Sequence, residues 1–386
     1  MSLRAQAAWI AIAALSVAGC GGAVEEDDGG GALSVETRAL MAELFGSLRV
    51  ALPESVGDDP FADPSRRAEV SAALSLLADN AELLERHDGD ADAESRFLSR
   101  SVARDARELQ RAHARGNMPR AGFLTRQITE NCVVCHSRLP DLKDRPMAAG
   151  FLDDEVLAKL PLEEKAALQM ATRRFDDALV TLERRIGQYD HPALMLGALT
   201  DYLVVALRVK GDYQRPIPVL RRFAARNDLW TTLRLDVEYW IESLPRLGQL
   251  ARGEPDLGVA RELVGEARAL DPFPGSHRSV AHFVTASAIL ERFIETHRQR
   301  DALTAEAYYL RGVTEAWIGR NYWVTPAPFL LETAIRTAPQ ERFAEQAFAL
   351  LERQTLAEYE GADDDIPEED RQRLDELRAL IAGKAQ

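Results

Sequence analysis

Cys132, Val133, Val134, Cys135 and His136 place two thiols and an imidazole within five residues. CxxCH is the attachment sequence for a c-type haem, in which the thiols form thioethers to the porphyrin vinyls and the imidazole becomes an axial ligand to iron. On a helix, positions i, i+3 and i+4 fall on one side. Cys132, Cys135 and His136 can therefore present two anchors and a ligand to one edge of a flat ring. Two other chemistries use part of the same set: a CxxC pair can act as a dithiol redox couple, or form half of a zinc site with His136 incidental. Zinc would need further cysteines or well-spaced histidines, and the only other cysteine is Cys20.

Cys20 has an explanation of its own. Arg4 precedes an apolar run from Ala7 to Ala18, then Gly19 and Cys20, which is the layout of a secretory signal too short for a permanent transmembrane helix. Val17-Ala18-Gly19-Cys20 resembles the lipobox of bacterial lipoproteins, with Val17 in place of the usual leucine. That resemblance implies a signal peptide over residues 1–19 and lipidation of Cys20, which becomes the first mature residue. The competing expectation is an ordinary signal cleaved near Ala18, which leaves a free thiol exposed to oxidation. Residues 20–32 read as a flexible acidic tether. Acyl chains on Cys20 would hold the protein at a membrane on its periplasmic face, where c-type haem is also assembled.

The whole chain has 386 residues, 46% hydrophobic and 28% charged, enough for two or three globular units. A formal net charge of −15 argues against nucleic acid as a general partner, because phosphate binding needs a basic field. No phosphate-binding glycine loop and no Ser/His/Asp set can be singled out, so an enzyme is not expected.

The elements that must position the motif are helices. Met41, Leu44, Leu48 and Leu52 keep helical spacing after a Ser34 cap, and Asp63-Pro64 opens a second pattern through Val70, Leu74, Leu77, Ala81 and Leu84. A third runs from Ala93 to Arg115 on Leu98, Val102, Ala106 and Leu109, ending at Gly116. A fourth starts near Pro119 and carries Phe123, Leu124 and Ile128 into Cys132 and Cys135. Four amphipathic helices with short connections predict an antiparallel four-helix bundle over residues 33–140.

A four-helix bundle whose last helix ends in CxxCH resembles the cytochrome c-prime class and its low-spin relatives, over about a hundred residues. The family often has an aromatic and a basic residue after the histidine; here Ser137-Arg138-Leu139-Pro140 supplies Arg138 without the aromatic. The resemblance implies one covalent haem c, with His136 as proximal ligand. It also implies either a methionine from the first helix on the distal side, for which Met41 stands in place, or an open site lined by Leu44 or Phe45. His87 and His113, near helix ends, read as surface residues, and Met147 is a further methionine just past the motif. From Arg96 to Arg138, nine arginines face three acids, a local balance of +6 that would steer an acidic redox partner or simply form a solvated face.

Residues 141–153 read as a linker. Beyond it, residues 154–360 carry a weak repeat. Arg173-Arg174-Phe175 through Ala178 and Leu182 resembles the turn and second helix of a tetratricopeptide repeat, and Lys210-Gly211-Asp212-Tyr213 looks like the same turn 38 residues later. Pro216 and Pro218 predict a shortened helix after it. Ala267 to Pro272 and Ala334 to Pro339 resemble repeat ends 67 residues apart, with Tyr308 to Gly312 between them as a first-helix core. Such repeats imply a helical solenoid with a concave surface for a protein partner, or a dock for the haem bundle itself. Trp230, Tyr239, Trp240, Trp317, Tyr322 and Trp323 read mostly as core, and His277 and His282 as too isolated for a metal. Residues 361–386 read as an acidic break and a capping helix on Leu374, Leu377, Leu380 and Ile381.

The expectation is therefore an all-α protein: a haem-bearing bundle followed by a tetratricopeptide-like solenoid, lipid-anchored, passing electrons to a redox partner protein. A haem-based sensor of nitric oxide or carbon monoxide, and an assembly scaffold with a structural haem, are the alternatives.

Overall fold

The computed structural model describes residues 35–56, 59–87, 93–137, 157–158, 160–188, 191–270, 276–297, 299–319, 325–358 and 366–383. The expected signal peptide, Cys20, the tether, the Ser34 cap, the linker, Arg138, Met147, Tyr322 and Trp323 lie outside these residues, as does the side chain of His87. Among the described residues the protein is all-helical, and no helix there is long and apolar enough to cross a membrane.

Four helices come first: α1 (Val35–Ser55), α2 (Arg67–His87), α3 (Ala93–Ala114) and α4 (Met118–His136). Each packs on the next, and α4 returns against α1. The apolar stripes read from the sequence make the shared core, with Leu48, Leu74, Leu77, Ala106, Leu109, Leu124 and Ile128 all buried. Local chemistry sets the ends. Gly116, at φ 78°, ends α3 in the left-handed conformation, with Asn117 N–H bonded back to Ala112 O at 2.9 Å. Asn117 then caps α4, its Oδ1 accepting from Arg120 N at 3.2 Å, with Pro119 in the first turn.

His113 departs from the expectation of a surface residue. It is 3% exposed, set edge-on to Phe61 at 5.3 Å between ring centroids. The α1–α2 connection folds Phe61 back over the end of α3, a contact that helix periodicity does not encode.

Eleven more described helices follow. The first pair is α5 (Leu162–Ala171) and α6 (Phe175–Gln188); then α7 (Leu196–Leu203), which continues as a π-helical turn over Val204–Val209, and α8 (Pro216–Ala224). The remainder are α9 (Thr231–Ala251), α10 (Leu257–Leu270), α11 (Val280–Thr296), α12 (Ala302–Ile318), α13 (Ala327–Thr337), α14 (Arg342–Glu358) and α15 (Glu368–Ile381). From α10 to α15 each helix packs on its successor, and α9 and α10 both lean on α11. Helix α8 is nine residues long, with Pro216 and Pro218 in its first turn where a missing N–H costs nothing. Phe175, Tyr213 and Trp240 are buried, whereas Trp230 is 68% exposed at the start of α9. At α15, Leu374 and Leu377 are buried against the core, which α15 reaches through α13 and α14.

The two halves meet on α4. Its Val133 belongs to the second core, and Cys132 packs against both cores. Leu52 and Phe45 of α1 join Leu157, Leu160 and Leu168 in a small third cluster, and Phe97 of α3 stacks on Phe329 of α13 at 5.7 Å.

Candidate haem-attachment site

The motif occupies the last turn of α4, so the i, i+3, i+4 rule places Cys132, Cys135 and His136 on one side of it. The two cysteines are free thiols, each partly buried. Burial, and then the neighbouring Cys135, push the Cys132 thiol up to about 12, so it is a neutral thiol at pH 7. A redox-active CxxC needs the opposite, a thiol pKa brought down toward neutrality. His136 is 6% exposed; burial, and then the charge of Arg173, bring its imidazole down to about 3. A neutral imidazole is the form that ligates a metal.

His136 Nδ1 is hydrogen-bonded to the backbone carbonyl of Ala171, the last residue of α5. With Nδ1 as the donor to that carbonyl, Nε2 is left as the lone-pair nitrogen. The donor set thus suits a covalent haem: two free thiols for thioether formation and one oriented, neutral imidazole. Among the described residues no group of three or more His, Cys, Asp or Glu converges on a metal position, which zinc would require.

Three features around the motif come from the second half. The turn 171–174 lies against the last turn of α4, and its Arg173 is 3% exposed with φ 58°. A left-handed φ costs a non-glycine residue roughly 1–2 kcal/mol. Next to His136, Ser137 Oγ accepts from Arg208 Nη2 at 3.0 Å. Arg208, on the π-helical turn, also donates to Glu315 Oε1 of α12 at 2.9 Å, and Ser287 of α11 donates to the same oxygen at 2.5 Å. Burial favours the neutral form of Glu315, but Arg208 and Arg311 outweigh it and hold its carboxyl below the usual range. Finally, a cavity of about 170 Å³ is lined by Val133, Val134 and Ser137, with Glu164, Met170 and Arg208. It adjoins the side of α4 away from the thiols.

Met41 is partly buried and packs on the core of the first four helices, as Cys132 does. His136 is instead held on α5. Four of the nine arginines between residues 96 and 138 have acidic partners: Arg100 and Arg107 pair with Glu85 and Glu82 of α2, Arg104 with Asp105 and Arg115 with Glu108. The steering field expected of them is reduced accordingly. His282 is buried, stacked on Tyr239 and 3.8 Å from Glu266.

Ala171, Arg173 and Arg208 were not candidates on sequence grounds. A carbonyl has no sequence signal. Arg208, however, interrupts the apolar run Val204-Val205-Ala206-Leu207-Arg208-Val209, and a charge inside such a run marks a buried partner. No protein-family model matches the chain, and neither a curated protein nor a solved structure is detectably similar to it.

Proposed function

We propose that the protein is a monohaem c-type cytochrome that carries electrons, exported and held at the periplasmic face of a membrane through lipidated Cys20. One observation carries the reading: a neutral, buried imidazole, oriented by a backbone carbonyl, in the same helical turn as two free, partly buried thiols. Cys132 and Cys135 are the covalent anchors and His136 the proximal ligand. A haem c bound there supplies one-electron exchange between ferrous and ferric iron. The chain's own work is to hold His136 in one tautomer and one orientation through Ala171, and to exclude water from the proximal side by packing α4 between two cores. Helices α1–α4 form the haem-bearing bundle. The later helices form tetratricopeptide-like repeats that dock the bundle and recognise a protein partner. Buried Phe175 and Tyr213 at two equivalent turns, fully buried Ala178, and Gly312 seated against Leu331 support the repeat reading.

Met41 is the distal ligand in this proposal. The alternative, an open coordination position that binds a diatomic gas, is favoured by Met41 packing within an apolar core beside Leu40 and Leu44, where a methionine also serves as filler. The full chain, produced in a host that matures c-type haem, tests both readings. Haem that stays attached after denaturation, with a low-spin spectrum altered in Met41→Ala, supports a six-coordinate electron carrier. A high-spin spectrum that shifts with carbon monoxide and ignores Met41→Ala supports gas binding. Loss of all haem on denaturation rejects both.

A further inference from the structure

Two turns of the second half share a spacing. Arg173 stands two residues before Phe175, as Gly211 stands two before Tyr213, and the aromatic residues are buried alike. Both turn residues are left-handed, Arg173 at φ 58° and Gly211 at φ 62°. Glycine reaches that conformation freely and arginine does not. The same left-handed φ is therefore built once with the residue that suits it and once with a bulky, charged one. Nor is Arg173 an exposed side chain of no consequence, since it is 3% exposed.

The two turns differ in what they touch. The first lies against the last turn of α4, where Ala171, two residues before Arg173, holds His136 by its carbonyl. Arg173 is buried in that same contact, two residues beyond the carbonyl that holds His136. A strained residue kept at one turn, where its equivalent is glycine, points to a task at that turn.

Resting on the haem reading above, we infer that Arg173 is a positioning residue of the haem site: a fixed, buried positive charge on the proximal side that holds the reduction potential up. Ferric iron carries one more positive charge than ferrous iron, so a neighbouring cation in a poorly solvated site disfavours the oxidised state. Arginine suits the task because, although burial lowers its pKa, the guanidinium starts from 12.5, far above neutrality.

The test uses the full haem-loaded chain with Arg173→Gly, Arg173→Gln and Arg173→Lys. The readouts are haem retention after denaturation, the midpoint potential across the neutral pH range, and thermal unfolding of the haem-free chain. Arg173→Gly is expected to keep its haem and to be at least as stable as the parent when haem-free, because glycine relieves the backbone. Its midpoint is expected to move to a more negative potential, by the same amount at every pH. Arg173→Gln should shift likewise, and Arg173→Lys should keep most of the parental potential. If Arg173→Gly has the parental midpoint, or if Lys and Gln shift it equally, Arg173 is a turn residue only and the inference is wrong. Should Arg173→Gly not fold, the Lys and Gln pair decides on the same criterion. A parent chain without covalent haem rejects the functional reading itself, before any variant is compared.

Discussion

Asp105 illustrates how a single buried group reports on the motif helix. It lies on α3, 4% exposed, and accepts from Asn131 Nδ2 at 3.1 Å, one residue before Cys132. Burial raises its pKa above 3.8, although Arg104, Asn131 and Arg120 oppose the shift. A carboxyl with a raised folded-state pKa favours the fold most when protonated. Its contribution is complete below about pH 3.8 and is lost as the pH rises through the higher folded value. Asp105→Asn removes the titration, and it supplies an amide donor for Asn131 Oδ1, which is buried without a hydrogen-bond partner. The variant is expected to be more stable at neutral pH, by on the order of 1 kcal/mol, and to show a flatter stability profile from acid to neutral pH. Denaturant titrations of the haem-free chain at several pH values check both. A variant less stable than the parent at neutral pH would mean that the charge of Asp105 is needed.

At the scale of the element, two glycines separate packing from propensity. A Cβ on Gly312 of α12 would lie 2.8 Å from Leu331 Cγ and 3.2 Å from the Leu331 backbone nitrogen, so α12 and α13 approach closely only because nothing projects there. Gly312→Ala is expected to destabilise by about 1–3 kcal/mol. Gly265, exposed on α10, has nothing within 4 Å of its added Cβ, and Gly265→Ala should stabilise by roughly 0.5–1 kcal/mol. Thermal unfolding of the two variants side by side checks the pair, and equal effects would remove the close-approach argument. The π-helical turn after α7 belongs to the same scale. Its wider backbone carries Arg208 between Ser137 and Glu315, and π turns of this kind recur where a side chain must be placed for a task.

For the whole molecule, the question is whether the two halves unfold together. They share α4, and Arg208 links Ser137 of the first half to Glu315 of the second with side chains 6% and 7% exposed for the Arg208–Glu315 pair. Breaking a buried ion pair from one side leaves the other charge stranded, at a cost of about 3–5 kcal/mol. Because Arg311 and Ser287 still act on Glu315, Arg208→Leu is expected to lose at most that much, and to split one unfolding transition into two. The double variant Arg208→Leu with Glu315→Leu should recover much of the stability but not the link to Ser137. Calorimetry on the haem-free chain distinguishes these outcomes. A single transition in Arg208→Leu would show that apolar contacts on α4 suffice to couple the halves.

Much of the helical order was legible in the residues. The stripes on Val70, Leu74, Leu77, Ala81 and Leu84, the stop at Gly116 and the proline-opened α8 are local facts, because a helix face is set by spacing along one segment. The motif itself is equally local, as two thiols and an imidazole at i, i+3 and i+4 share a side of any helix that contains them. What surrounds the motif was not legible. His113 turned inward because a loop from elsewhere in the chain covers it, Arg173 took a glycine's conformation, and the carbonyl that holds His136 came from a helix 35 residues away. Each of these is a contact between segments, and side-chain burial and charge environment follow from such contacts. The sequence by itself thus determined which groups the motif offers and the helix that carries them. Only the tertiary structure decided that both cores meet on that helix, and that the second half supplies the carbonyl and the charge facing its histidine.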